Sequence, residues 1–403
     1  MTRLKLILRK IQVPVLAVVT AFIFGALVIV LTDLVHIAQL PTDPAGAILG
    51  ALAGVLQGYG AMLSGAFGDP ARVLAAIESG EARAVATAVR PITETLVAAT
   101  PLIFTGLAVA ISFRAGMFNI GVDGQLMLGA LGATVTAIAL QGQVPAFVIL
   151  LAAIAAGVIF GGFWGFIPGF LKARTGAHEV ITTIMLNYIA AQIVFFALRS
   201  EWLRAPGSTA PVSKNLGPIA DVPGLLPLPG IRLDFGFIVA LLMAAAVSAL
   251  LFRTTKGFEL RASGFNMTAA KYAGMSAGGS MMLAMALSGG LAGLSGGFMV
   301  VGTVGQLSLD LSGGIGFTAI ALALLASLRP SGVVLAALLF GALTTGGKLM
   351  GIQSGIPFDL LSFIMALVIM FVAAPGLIRS IWRVRVDKPA PEVAATSQPT
   401  GTV

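Results

Sequence analysis

The sequence predicts an all-α polytopic membrane protein with about ten transmembrane helices. Three observations carry that reading. Hydrophobic residues fill 58% of the 403 positions and charged residues 10%, with a mean hydropathy of +1.01; a soluble chain of this length needs far more polar surface to cover its cores. The apolar residues fall into discrete runs near 13–35, 99–113, 124–140, 145–171, 180–198, 235–252, 277–301, 313–328, 331–347 and 358–376. Most are close to the roughly 20 residues that a helix needs to cross a bilayer. There are also 50 glycines, which suit helices that must approach closely in a lipid solvent.

Arg3, Lys5, Arg9 and Lys10 precede the first run. A signal peptide has a shorter apolar region and a small-residue cleavage site, so 13–35 reads as a retained span with a cytoplasmic N-terminus. The segment 46–66 is apolar but rich in Gly and Ala. Making it a span without adding another reverses every later segment, so it is expected to lie on or dip into the outer surface. Residues 68–92, with Asp69, Arg72, Glu78, Glu81, Arg83 and Arg90, read as an amphipathic outer helix. The segment 199–234 carries six of the 20 prolines, a density that forbids a long helix; it reads as an outer loop. Ten spans put both termini inside. Of the 24 Lys and Arg, 16 then fall in cytoplasmic segments, the asymmetry expected of an inward-facing positive side. The resulting organisation is one membrane domain, 1–386, divided at 98, 198 and 276, followed by a polar, Pro-rich tail at 387–403 that reads as disordered.

An internal duplication is also legible. Spans two to five (99–198) and seven to ten (277–376) are equal in length and opposite in orientation, and GQLMLGALGATVTAIAL (124–140) loosely echoes GGIGFTAIALALLA (313–326). Inverted repeats of this kind are common in transporters.

A net charge of +8 would point to nucleic acid in a soluble protein. Here the cations sit in short segments between apolar runs and read as topology signals, with the lipid bilayer as partner and no nucleic acid. Cysteine is absent and the only histidines are His36 and His178, which excludes disulfides, thiolate metal sites and His-rich metal sites. No G-x-x-x-x-G-K-[ST] phosphate loop occurs; GALTTGGKLM (341–350) has the wrong spacing and no hydroxyl residue after Lys348. The chain is therefore not expected to bind ATP or any cofactor, and no catalytic set is visible.

Polar groups at membrane depth are costly, so Asp123, Gln125, Asn187, Gln192 and Asp310 are functional candidates. Their glycine neighbours permit the irregular backbone that membranes tolerate only inside protein or along a cavity. A structural role fits them equally: Asp123 as a helix cap, Asn187 and Gln192 as cross-helix bonds. Phe113 and Phe118 can stack on a ligand or simply pack. Glu179 beside His178 allows a proton relay, but both can reach water near a span end.

The segment TKGFELRASGFNMTAAKYAGM (255–275) reads as two short cytoplasmic helices. Gly264 ends the first, Asn266 caps the second and Gly274 stops it. The small face of Ala269, Ala270 and Ala273 suits a groove on a partner, although an ordinary connector also fits. This segment resembles the coupling loop of ABC importer permeases. GLAVAISFRAGMFNIGVDGQLMLGALGA (106–133), GAHEVITTIMLNYIA (176–190) and SLRPSGVVLAALLFGAL (327–343) resemble bacterial nucleoside ABC importer permeases, which are related to ribose and branched-chain amino-acid permeases. The resemblance covers about 95–378.

It implies a bacterial plasma-membrane subunit without ATPase activity. Its partners would be ABC ATPase subunits, a second permease subunit, homologous or identical, and an extracytoplasmic substrate-binding protein. Gly257, Glu259, Arg261, Gly264, Asn266, Ala269, Ala270, Tyr272, Ala273 and Gly274 would couple to the ATPase. Asn119, Gly121, Asp123, Gly124, Gln125, Asn187 and Gln192 would line the substrate path, offering amides and a carboxylate to the hydroxyls and base edge of a nucleoside. The competing readings are an ion-gradient-driven secondary transporter and an ABC permease for a sugar or branched-chain amino acid.

Overall fold

Inside a bilayer the backbone has no water to bond, so a chain this apolar must satisfy its amides and carbonyls within helices. The computed structural model describes residues 3–220 and 222–383, and it does so. Among them the only strand-like pairings are isolated bridges in loops, such as Val212 with Ser308. The tail read as disordered lies outside the described residues.

The first long helix, α1 (Arg3–Thr32), leads into a short α2 (Leu34–Gln39) capped by Asp33. Next come α3 (Pro44–Phe67), capped by Asp43, and α4 (Pro70–Ser79), capped by Asp69 and closed by Gly80 at φ +68°. The 33-residue α5 (Ala82–Arg114) carries Pro91 and Pro101 inside it. It is followed by α6 (Val122–Leu140), α7 (Ala146–Thr175) and α8 (Glu179–Leu198). After the proline-rich loop come α9 (Gly236–Arg253) and the short α10 (Thr255–Phe265) and α11 (Met267–Tyr272). The long α12 (Ala277–Phe298) ends in one π turn, Met299–Thr303. The chain closes with α13 (Ile315–Leu325), α14 (Pro330–Ser354), α15 (Phe358–Ala373) and α16 (Pro375–Ile381), the last two bent by 92°.

Among the described residues, nine helices are long and apolar enough to cross a membrane, ten if the bent pair counts as one. The total agrees with the sequence; the membership differs. The outer helix expected at 68–92 is two helices, broken at Gly80, and its second half is continuous with α5. The run 313–328, read as a span, is an 11-residue helix preceded by irregular chain. Consecutive Gly313 and Gly314, at φ +48° and +77°, fix that start.

The segment 46–66 forms the 24-residue α3, as long as a span. Its last turn meets α5 where the Thr95 hydroxyl donates to the Ala66 carbonyl at 2.9 Å. The helix α3 is one of the nine long and apolar enough to cross a membrane, where the sequence suggests a segment lying on or dipping into the outer surface.

Two ends of the molecule follow from contacts. At the basic end Gly116 meets Gly264, Ala173 meets Gly278, and Arg114 bonds the carbonyl of Leu328. At the other, the loop end, Leu216 and Ser213 pair with Gly305 and Leu307, and Arg232 clamps Glu94 with both carboxylate oxygens. The helices α5 and α12 run in opposite senses between these ends.

The centre is α12, whose span window is 89% buried, with α6 at 83%; α8 is peripheral at 17%. The seam between α7 and α12 is made of backbone. Gly157, Gly161 and Gly165 recur every fourth residue on α7, as do Gly289, Gly293 and Gly297 on α12. A Cβ on Gly293 would lie 2.1 Å from the Gly157 carbonyl oxygen, and one on Gly161 would lie 2.4 Å from that of Gly289. From α6, a Cβ on Gly129 would lie 2.2 Å from the Gly293 Cα. This is small-residue packing, in which close van der Waals contact replaces the hydrophobic effect.

Any side chain at Gly293 must push two helices apart. Gly293→Val is expected to destabilise by at least about 1–3 kcal/mol, the cost of overpacking a filled core. Gly54→Ala and Gly60→Ala, where a Cβ meets nothing within 4 Å, are expected to be neutral or slightly stabilising. Thermal unfolding of the purified variants in detergent checks the contrast.

Candidate functional site

At the basic end of α5 the chain does not leave the bundle. Gly116, at φ +74°, turns it back inward, and Met117 packs with Met281 and Met285. Asn119, fully buried, then anchors the returning segment. Its Nδ2 donates to Ser288 Oγ at 2.9 Å and to Gln125 Oε1 at 3.0 Å; its Oδ1 accepts from the Gly121 amide at 2.8 Å. Ser288 in turn donates to the Ala108 carbonyl at 2.7 Å, six residues before the end of α5. The start of α6 thus lies inside the bundle.

The short α13 also starts inside the bundle, and the two helix N-termini meet. Asp123, in the first turn of α6, accepts from the Gly316 amide of α13 through Oδ1 at 2.9 Å. The unsatisfied amides and dipoles of two N-termini face one acidic side chain, the charge that a helix start favours. Glycine is required at 316, because a Cβ there would lie 2.6 Å from the Asp123 amide. Asn187 on α8 completes the brace. It donates to the Ile120 carbonyl and accepts from the Gly124 amide, both at 2.9 Å.

Six of the sequence-selected path residues therefore come together: Asn119, Gly121, Asp123, Gly124, Gln125 and Asn187. Their side-chain bonding capacity is turned toward the protein, the capping and cross-helix roles that the sequence left open. Gln192 stands apart, exposed on α8 beside Tyr188 and Phe196 in a shallow groove of about 410 Å³. Phe113 and Phe118 stack on each other at 4.3 Å. Asp310, read as intramembrane, is exposed in the coil at the loop end. Glu179 pairs with Lys172 at 2.9 Å rather than with His178, which removes the relay. Cavities of about 640 and 820 Å³ open around the first turns of α5 at the loop end, and neither is lined by the Asn119–Asn187 cluster.

The segment 255–275 forms the two expected helices. Asn266 Oδ1 accepts from the Ala269 amide at 3.0 Å, and Gly274 ends the second at φ +79°. Gly264 does not end the first, which continues to Phe265. Its role is contact: a Cβ there would lie 2.1 Å from the Arg114 carbonyl oxygen. Gly257 likewise abuts the Leu250 carbonyl, Glu259 pairs with Lys256 at 2.9 Å, and Arg261 lies over Phe252 at 5.2 Å. Ala270 faces inward, while Ala269 and Ala273 face out. Tyr272 is 89% exposed and Phe265 94%. Phe265 was not among the selected residues; its signal in the sequence is a large apolar side chain in a polar, glycine-marked connector.

The matched family is the branched-chain amino acid transport system permease component, over residues 92–373. The chain belongs to this permease family. Its relatives include the guanosine ABC transporter permease protein NupP of Bacillus subtilis, 38% identical, with 84% of this chain and 91% of the relative aligned. The nucleoside ABC transporter permease protein NupB of Lactococcus lactis is 36% identical over 72% of this chain and 80% of its own. The glucose ABC transporter permease protein TsgB13 of Haloferax volcanii is 34% identical over 76% and 87%. No solved structure matches. The chain is thus a multi-pass membrane permease, and the family match includes the re-entrant cluster, α10, α11 and α13.

Removing the Asp123 acceptor leaves two helix starts facing each other unshielded. Asp123→Ala is expected to cost about 1–2 kcal/mol, the scale of a lost cap, whereas Asp123→Asn keeps an acceptor and loses less. Asn187→Leu leaves a carbonyl and an amide without partners, about 1–3 kcal/mol. Thermal unfolding in detergent ranks the three variants.

Proposed function

We propose that this chain is the membrane permease of an ABC importer that carries a nucleoside inward across a bacterial plasma membrane. The similarity to the guanosine permease over most of both chains carries the reading. The basic end faces the cytoplasm, with both chain termini, and the loop end receives substrate from a binding protein. The sequence has no phosphate loop, so ATP is hydrolysed by partner subunits that dock on α10 and α11. The exposed rings of Phe265 and Tyr272 are the anchors, inserted into the ATPase surface.

The path runs between this chain and a second permease. Tyr188 and Gln192 sit on an exposed face of α8, where lipid would leave an amide unsatisfied. A facing permease covers that surface and encloses a polar route. Tyr188 and Phe196 offer faces to a base, and Gln192 offers an amide to its edge. The re-entrant cluster is the rigid wall behind this route. A monosaccharide is the second reading, favoured by the glucose permease relative.

The test is uptake into liposomes holding this chain with its second permease, ATPase and binding protein. ATP-dependent uptake of labelled guanosine, competed by nucleosides and not by glucose, is the expected result. Competition by glucose alone moves the substrate to the second reading, and uptake that survives without the ATPase overturns the proposal. Phe265→Ala with Tyr272→Ala is expected to weaken ATPase association by about 2–4 kcal/mol, the range of aromatic anchors. Co-purification of the ATPase then falls while the permease itself stays folded.

A further inference from the structure

The basic end holds a linkage that neither the family match nor the coupling helices explain. Arg114, the last residue of α5, extends across to the turn between α13 and α14. Its Nε donates to the Leu328 carbonyl at 2.7 Å and an Nη to that of Ser327 at 3.4 Å. Both acceptors are non-glycine residues in the left-handed region, at φ +56° and +50°. Two such residues in succession are strained, and the guanidinium fork fixes the carbonyls they present. Neither lysine nor a neutral side chain reproduces that fork.

The same arginine is in contact with the coupling segment. Its backbone carbonyl and the Gly116 amide abut Gly264 of α10 so closely that no Cβ fits. Its guanidinium lies over Phe252 at 5.1 Å, and Arg261 of α10 lies over the same ring at 5.2 Å. The helix α13 is therefore tied to the first half of the chain on both sides: by Asp123 at its first turn and by Arg114 at the 327–328 turn that follows it.

We propose that Arg114 is the positioning residue that carries movement of α10 into α13. This rests on the importer reading above. ATPase closure moves α10, α10 moves residues 114–116 by backbone contact, and Arg114 drags the 327–328 turn with it. The helix α13, only 11 residues long, shifts as a unit, and the shift reaches the junction of the α6 and α13 N-termini at Gly316. The glycine seam of α7 and α12 stays fixed and serves as the frame.

The chain has no cysteine, so spin-label pairs can be introduced without removing any native thiol. Leu283→Cys on α12 is the fixed reference, paired with Thr255→Cys on α10 or Phe317→Cys on α13. Distances are measured in the reconstituted importer, nucleotide-free and vanadate-trapped. With Arg114 present, both pairs are expected to change on trapping. With Arg114→Ala or Arg114→Lys, the Thr255 pair still changes and the Phe317 pair does not. Uptake per ATP hydrolysed then falls about tenfold, the scale of a broken coupling element.

A Phe317 change that persists in Arg114→Ala, or an unaltered ratio of uptake to hydrolysis, overturns the proposal. Thermal unfolding of the two Arg114 variants separates a lost link from a lost fold. If the chain with Arg114 intact takes up no substrate with ATP, it is the importer reading that fails.

Discussion

The glycine seam between α7 and α12 is the constraint on which the rest of the bundle depends. Lipid is as apolar as leucine, so two membrane helices gain little by hiding hydrophobic side chains from it. What holds them is contact area, and contact area is greatest where nothing separates the backbones. With Gly157, Gly161 and Gly165 against Gly289 and Gly293, the two helices touch along about three turns. Gly129 and Gly296 bring α6 into the same contact, against Gly293 and against the Leu126 carbonyl respectively. Three helices thus share one backbone-lined core. That core fixes Ser288, which sits one residue before Gly289 and holds Asn119. The re-entrant turn is therefore placed by the seam as much as by its own sequence.

From that frame the two halves of the chain complete each other. In the first half α5 runs to the basic end, the chain turns inward, and α6 starts inside the bundle. In the second half α12 runs to the loop end, the chain turns inward through 304–314, and α13 starts inside the bundle. Two passages are each interrupted, and the interruptions meet. A helix that starts in apolar surroundings leaves amides exposed, and a pair of starts sharing one acceptor solves that problem with one side chain. Asp123 meets that need; an apolar residue there would offer no acceptor to the Gly316 amide. The opposite senses of α5 and α12 bring the two starts together; with parallel senses both interruptions would lie on the same side.

Much of this was legible in the sequence, and the failures have physical causes. Composition and apolar runs give the class and the number of passages because the bilayer sets a length scale that soluble proteins lack. The caps at Asn266 and Gly274 were legible because capping is local chemistry. The faint echo between 124–140 and 313–326 falls on α6 and α13, the two helices whose first turns meet at Asp123 and Gly316. The same stretch was misread as a full span, because hydropathy records burial in apolar surroundings and not helix length. Gly264 was misread for a related reason: glycine at a helix end and glycine at a close contact look alike until the neighbour, here the Arg114 carbonyl, is known. Of the candidate polar residues, sequence could say that they were expensive and hence positioned. It could not say that Asn119, Gln125 and Asn187 spend their bonds on one another and on backbone 120–124, since those partners are up to 169 residues away, as for Ser288.

That spending bears on where transport takes place. A binding site must leave donors and acceptors free for its ligand, and the re-entrant cluster leaves few. A fully satisfied buried network is rigid, and rigidity is the property of a wall or a fulcrum. The free polar groups at span depth lie elsewhere, on the exposed face of α8, where Tyr188 and Gln192 have no side-chain hydrogen-bond partner among the described residues. A polar face turned outward from a membrane helix is stable only against another protein surface or water. On the proposed reading the single chain is half of a path: its satisfied interior resists deformation, and its exposed polar face meets a second subunit. A transporter built this way has to change shape by moving one rigid half, or a tethered element such as α13, against the other, because the core itself has no slack to give.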